Sequence, residues 1–131
     1  MFKCPAEVEN LLGDPKVMIK PPEIEIRNCD TVELLQGCVD LQRRVFDLPE
    51  VELSPVRHFV VTMHAGGFTL GAFHKDKLIG FCLSVPAMLN GERALYSHMT
   101  AVEQDYQCFG VGSKLKWEQR KCALEHGIQL V

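Results

Sequence analysis

Gln107-Cys108-Phe109-Gly110-Val111-Gly112, preceded by an apolar strand-like segment and followed by an amphipathic helical one, is the stretch on which the fold turns. Glycines at a strand-to-helix turn let the backbone approach a ligand closely, and the first-turn N–H groups of the helix have no intrahelical acceptors. The helix dipole adds about half a positive charge at the same end. A pyrophosphate placed there gains from both effects without a metal. On the two glycines alone, a tight turn with no ligand fits as well as a cradle. Other cradles fail on order: a Walker A loop needs G-x-x-x-x-G-K-[ST], and Gly112-Ser113-Lys114 lacks the upstream glycine at the right distance. A dinucleotide fingerprint wants a glycine or alanine where Leu115 stands.

Upstream of the loop, residues 68–73, 78–85 and 94–102 are apolar or alternating and are separated by polar turns at Lys75-Asp76-Lys77 and Asn90-Gly91. This pattern predicts a strand meander. The first two segments are apolar on both faces, which predicts helices on both sides of the sheet. Further back, Asp30-Thr31-Val32-Glu33 has the spacing of an N-cap with a carboxylate three residues on. Val32, Leu35, Cys38, Val39, Gln42, Val45 and Phe46 continue it at helical spacing, ending before Pro49. Ser54-Pro55 opens a second helix through Phe59, Val60, Met63 and His64, closed by Gly66-Gly67. Residues 23–27 alternate polar and apolar and predict a first strand at an edge. Downstream, residues 112–126 run as one helix stopped by Gly127, and residues 128–131 open another strand.

The chain has 131 residues, enough for one domain with a real core, and 47% of them are apolar. Residues 1–22 read as a leader and 23–131 as the domain. The net charge is −3, with Lys and Arg scattered, so a nucleic-acid partner is not expected. No apolar run reaches a membrane-spanning length, and no signal-like segment opens the chain; a cytoplasmic protein without a membrane partner is the expectation. Six cysteines without a C-x-x-C pair predict reduced thiols and no metal site.

Residues 102–127 resemble the central motif of the GNAT superfamily of N-acetyltransferases, Q/R-x-x-G-x-G/A followed by a helix. The order of elements from residue 23 to 131 is similar as well. The resemblance implies an α/β (α+β) fold: a mixed, mostly antiparallel sheet with helices on both faces, here broken off after the start of its fifth strand. It implies an acetyl-CoA-dependent N-acetyltransferase that moves an acetyl group to an amine acceptor by direct attack. Backbone N–H groups of Gln107, Cys108, Phe109, Gly110, Val111, Gly112 and Ser113 would bind the coenzyme A pyrophosphate. The strand at Thr100, Ala101 and Val102 would pair with the pantetheine arm. Many members carry basic residues inside the loop, whereas Cys108 and Phe109 are neutral. The family also continues with a helix and two strands that wall the acceptor site. Their absence implies weak activity of this chain alone and an exposed sheet edge that takes a homodimer partner or a completing segment. The alternative reading is a non-catalytic acyl-CoA-binding module.

Acyl transfer needs a group that takes a proton from the acceptor ammonium. Tyr96 and His98 lie two apart on the fourth predicted strand, hence on one face, and Glu103 lies at its end. For each, a core or solvated role is the plainer reading. His64 and His74, at a helix end and a turn, are weaker candidates, and Trp117 is assigned to packing.

Overall fold

The meander and its flanking helices follow from these local signals, in a computed structural model that describes residues 21–129 and 131. The leader, apart from Pro21 and Pro22, lies outside the described residues. Strand β1 (Glu25–Asn28) is followed by α1 (Val32–Phe46), α2 (Val56–His64), β2 (Phe68–His74), β3 (Lys77–Leu89), β4 (Glu92–Val102) and α3 (Val111–Glu125). Thr31, not Asp30, caps α1: its hydroxyl accepts from the Leu34 N–H at 3.2 Å. Ser54 caps nothing. Its backbone instead exchanges two hydrogen bonds with the buried Gln42 side chain, tying the start of α2 to α1.

The four strands pair antiparallel in the order β1-β2-β3-β4. Both hairpins close through consecutive left-handed residues, Lys75-Asp76 and Asn90-Gly91, the conformation that matches the twist of the flanking strands. The second hairpin is longer than its apolar pattern indicates, because register holds out to Leu89 opposite Glu92. One face of the sheet packs on α1 and α2, where Leu35, Cys38, Leu41 and Phe59 meet Phe81, Leu83 and Ala101. Phe59 and Phe81 are fully buried with ring centroids 5.7 Å apart, and burial of each contributes roughly 1.5–3 kcal/mol. The other face packs on α3, where Val111 and Leu115 meet Ile79, Cys82 and Val102. Helices on both faces agree with the expectation; among the described residues the sheet is wholly antiparallel rather than mixed.

The strand expected at residues 128–131 is not formed by Ile128, Gln129 or Val131. Gly127 takes a left-handed φ of 73°, and the Ile128 N–H returns to the Ala123 carbonyl at 2.8 Å. Ile128 then buries against Leu95 and Ala123, so the helix stop and its apolar contact use the residue that sequence pattern gave to a strand. Cys29, Cys38, Cys82 and Cys122 are free thiols, whereas Cys108 is disulfide-bonded, unlike the reduced state expected of all six.

Candidate functional site

Four features converge where β4 gives way to α3. A short 3₁₀ turn, Gln104–Phe109, leads to Gly110 at φ 70°, which starts α3 with no side-chain cap. The first helical hydrogen bond runs from the Lys114 N–H to the Gly110 carbonyl. The N–H groups of Val111, Gly112 and Ser113 therefore lie in the uncapped first turn, where an anion is their natural partner.

A groove of about 620 Å³ begins at that turn and is lined by Thr100, Gln107, Gly110, Gly112, Ser113, Lys116, Trp117 and Arg120. Lys116 and Arg120 bring two positive charges to it. Trp117 is 67% exposed, with the Arg120 guanidinium 5.6 Å from its ring centroid, so it forms a wall of the groove rather than core packing. A larger cavity of about 920 Å³ lies beside β1 and the β2–β3 turn. It mixes Glu23, Glu25 and Asp76 with Lys75 and Lys114, so it has no consistent charge with which to hold an anion.

Strand β4 is the outer strand among the described residues. The Glu103 N–H donates to the Ile79 carbonyl, and an antiparallel ladder alternates inward and outward groups. Ala101 therefore turns its backbone toward β3, and Thr100 and Val102 turn theirs to the open edge. The Val102 carbonyl already accepts from the Gln107 amide at 3.0 Å. Thr100 adds a side-chain signal: its hydroxyl is buried, lines the groove and has no hydrogen-bond partner among the described residues. A ligand with a polar chain laid along β4 would satisfy it.

The seven loop residues differ in what they can offer. Gly110, Gly112 and Ser113 line the groove, and Val111 is buried with its N–H in the first turn. Phe109 packs into the core beneath α3, and Cys108 is half-buried in the 3₁₀ turn. Ala101 is fully buried and lies away from the groove.

The three catalytic candidates separate. In β4 the pairing steps from Leu83 opposite Met99 to Ser84 opposite Ser97, which leaves His98 as the extra residue of a β-bulge. Its ring stays beside Tyr96, centroids 5.9 Å apart, and Tyr96 is 60% exposed. Glu103 stands apart: its Oε1 accepts from both Nε and Nη2 of Arg44, at 2.9 and 2.6 Å, clamping the end of β4 to α1. A carboxylate oxygen so occupied is poorly placed to take a proton. Sequence reading missed His58 on α2, whose ring centroid lies 5.3 Å from that of His98. Burial, and then the neighbouring His98, push the His58 imidazole below its ordinary proton affinity. No spacing rule links residues 58 and 98; only the packing of α2 on the sheet brings them together.

Among the described residues no helix is long and apolar enough to cross a membrane, and no His/Cys/Asp/Glu cluster is arranged to hold a metal. No family model and no curated protein matches the chain. Solved structures do match it in shape. An aminoglycoside acetyltransferase from an uncultured soil metagenomic sample superposes with a TM-score of 0.72 at 18% identity, over 82% of this chain and 74% of that one. The ribosomal-protein-alanine N-acetyltransferase from Brucella melitensis gives 0.64 at 17%, over 82% and 77%. An acetyltransferase from Trypanosoma brucei gives 0.64 at 16%, over 83% and 80%. Three enzymes with different names thus share one framework with a chain that resembles them little in sequence, and that framework is the fold of the GNAT acetyltransferases.

Proposed function

We infer that this chain binds acetyl-CoA and transfers the acetyl group to an amine. The observation that carries the reading is the uncapped start of α3 at the head of a groove that holds Lys116, Arg120 and the orphaned Thr100 hydroxyl. The pyrophosphate would sit on the N–H groups of Val111, Gly112 and Ser113, with the pantetheine arm along the open edge of β4 at Thr100 and Val102. That course directs the thioester toward the bulge. There the amine nitrogen would attack the thioester carbonyl carbon, the C–S bond would break and the coenzyme would leave as a thiolate that takes up a proton. His98, as the exposed imidazole at the bulge, is the residue assigned to receive the proton lost by the ammonium; Tyr96 borders it and Glu103 holds the strand end. Alignment of two bound reactants contributes roughly 7–11 kcal/mol to such a transfer.

Calorimetry and thermal melts with acetyl-CoA test the reading. Saturation at about a hundred times Kd should stabilise the fold by about 2.7 kcal/mol. Pantetheine without the pyrophosphate should bind far more weakly. No heat and no change in melting temperature at millimolar acetyl-CoA would remove the groove from consideration. A second reading, an acyl-CoA-binding module without turnover, is favoured by one observation: the edge of β4 is uncovered among the described residues, so nothing there shields the thioester from water. Acetyl-CoA binding without transfer to any of a panel of amines, with slow thioester hydrolysis instead, would select it.

A further inference from the structure

The Nε2 atom of His58 is cut off from solvent and has no hydrogen-bond partner among the described residues. Packing alone does not call for an imidazole there, since the neighbouring Phe59 fills the same layer with a plain ring. A buried nitrogen left unpartnered is costly and needs an explanation. The ring beside it belongs to His98, set edge to face at 73° with centroids 5.3 Å apart, and His98 is the one residue of β4 that the bulge takes out of the ladder. Beyond His98 lies Tyr96. Three titratable rings thus run inward from an exposed phenol through an exposed imidazole to a half-buried one.

The surroundings keep other charges away from this file. On α1, Arg44 is engaged by Glu103, and Arg43 by Asp40 and Glu50. The β3 residues opposite this part of β4 are Leu83, Ser84 and Val85, all uncharged. Arg57 and His64, the other charged or titratable groups of α2, are exposed. Among the described residues no ion pair reaches either imidazole of the pair.

We propose that His58 and His98 carry a single positive charge between them: His98 takes a proton from the acceptor ammonium at the bulge, and His58, as a positioning residue, offers its open Nε2 to the protonated ring. The inference rests on the acyltransferase reading for the source of the proton, while the adjacency of the two rings stands on the geometry alone. In the step, one ammonium N–H bond breaks, a His98 N–H bond forms, and the amine keeps the electron pair with which it attacks. Being exposed, His98 returns the proton to water or to the leaving thiolate. Two adjacent imidazoles resist a second charge, so the pair carries one positive charge and not two.

Histidine Cε1–H resonances followed by NMR against pH, in wild type, His98→Gln, His58→Phe and His58→Gln, test the pairing without any turnover. The His58 midpoint should rise in His98→Gln, where the neighbouring charge is gone. Acetyl transfer then reads the role. His98→Gln should lower kcat by about 10²–10⁴-fold. His58→Phe, which keeps a ring but no acceptor, should lower it less, and His58→Gln, whose amide oxygen accepts, should recover part of that loss. An unchanged His58 midpoint in His98→Gln would overturn the pairing. Wild-type kcat in His58→Phe, or a His58→Gln variant no better than His58→Phe, would overturn the positioning role. If wild type transfers no acetyl group, the functional reading fails, and the NMR midpoints still decide whether the rings share one charge.

Discussion

Gly110 and Gly112 differ in what they contribute, although the loop motif treats them alike. Gly110 needs its left-handed φ, so an alanine there costs about 1–2 kcal/mol. Gly112 is helical, with open space where a Cβ would point and the groove in front of it. Gly112→Ala is therefore expected to leave stability unchanged or raise it by up to about 1 kcal/mol, while Gly112→Val weakens acetyl-CoA binding by filling the cradle. Urea unfolding and calorimetry on the same samples separate the two effects; wild-type affinity in the valine variant would place the phosphates elsewhere. Because α3 starts at Val111, residue 112 has helical backbone that a Cβ does not strain, which two glycines in a loop motif do not reveal. His58 gives a second prediction at this scale. Its folded proton affinity lies below the ordinary value of 6.5, so the unfolded chain binds the proton more readily. The contribution to stability is present above that pH and is lost as pH falls toward the folded value. Melting temperatures from pH 7.5 to 5 should fall less steeply in His58→Phe than in wild type; parallel curves would mean that His58 titrates normally.

The elements were legible where the signal is local. Two hairpins, the stop of α3 at Gly127 and the apolar faces of α1 and α2 follow from neighbours within four residues. What sequence could not show is what holds one element to another. Gln119 on α3 is 2% exposed and donates to the buried Ser84 hydroxyl of β3 at 2.7 Å. Amphipathic pattern alone assigns neither residue, because a buried amide in a helix and a serine inside an apolar strand each read as a flaw until they are paired. Gln119→Leu should cost about 1–3 kcal/mol by stranding the serine, and adding Ser84→Ala should recover most of it. A double-mutant cycle in urea with purely additive losses would show that the bond does not anchor α3. Since α3 carries the groove's charged side, loosening it should also weaken acetyl-CoA binding, whereas Thr31→Ala at the far end of α1 should not.

At the scale of the molecule, the glycine loop and the meander were enough to indicate the architecture, and the solved neighbours share it. The acetyl donor, the acceptor and the fate of the open β4 edge are not written in local pattern, since each depends on surfaces that meet only after folding. The sheet separates two sides: Leu95, Ser97, Thr100 and Val102 of β4 serve the α3 side, while Met99 and Ala101 serve the side of α1 and α2. Odd positions point one way before residue 98 and the other way after it, and the bulge reconciles the two. Seen as an insertion, His98 is a residue the ladder can lose: a chain lacking it would pair Ser97 and Met99 with Ser84 and Leu83 as they do now, every neighbour keeping its side. Such a deletion variant should melt cooperatively and still bind acetyl-CoA, yet transfer nothing; collapse of its near-ultraviolet circular dichroism would show that the sheet depends on the bulge. Evolution could therefore add or discard chemistry at this strand by the gain or loss of a single codon, with the framework left in register.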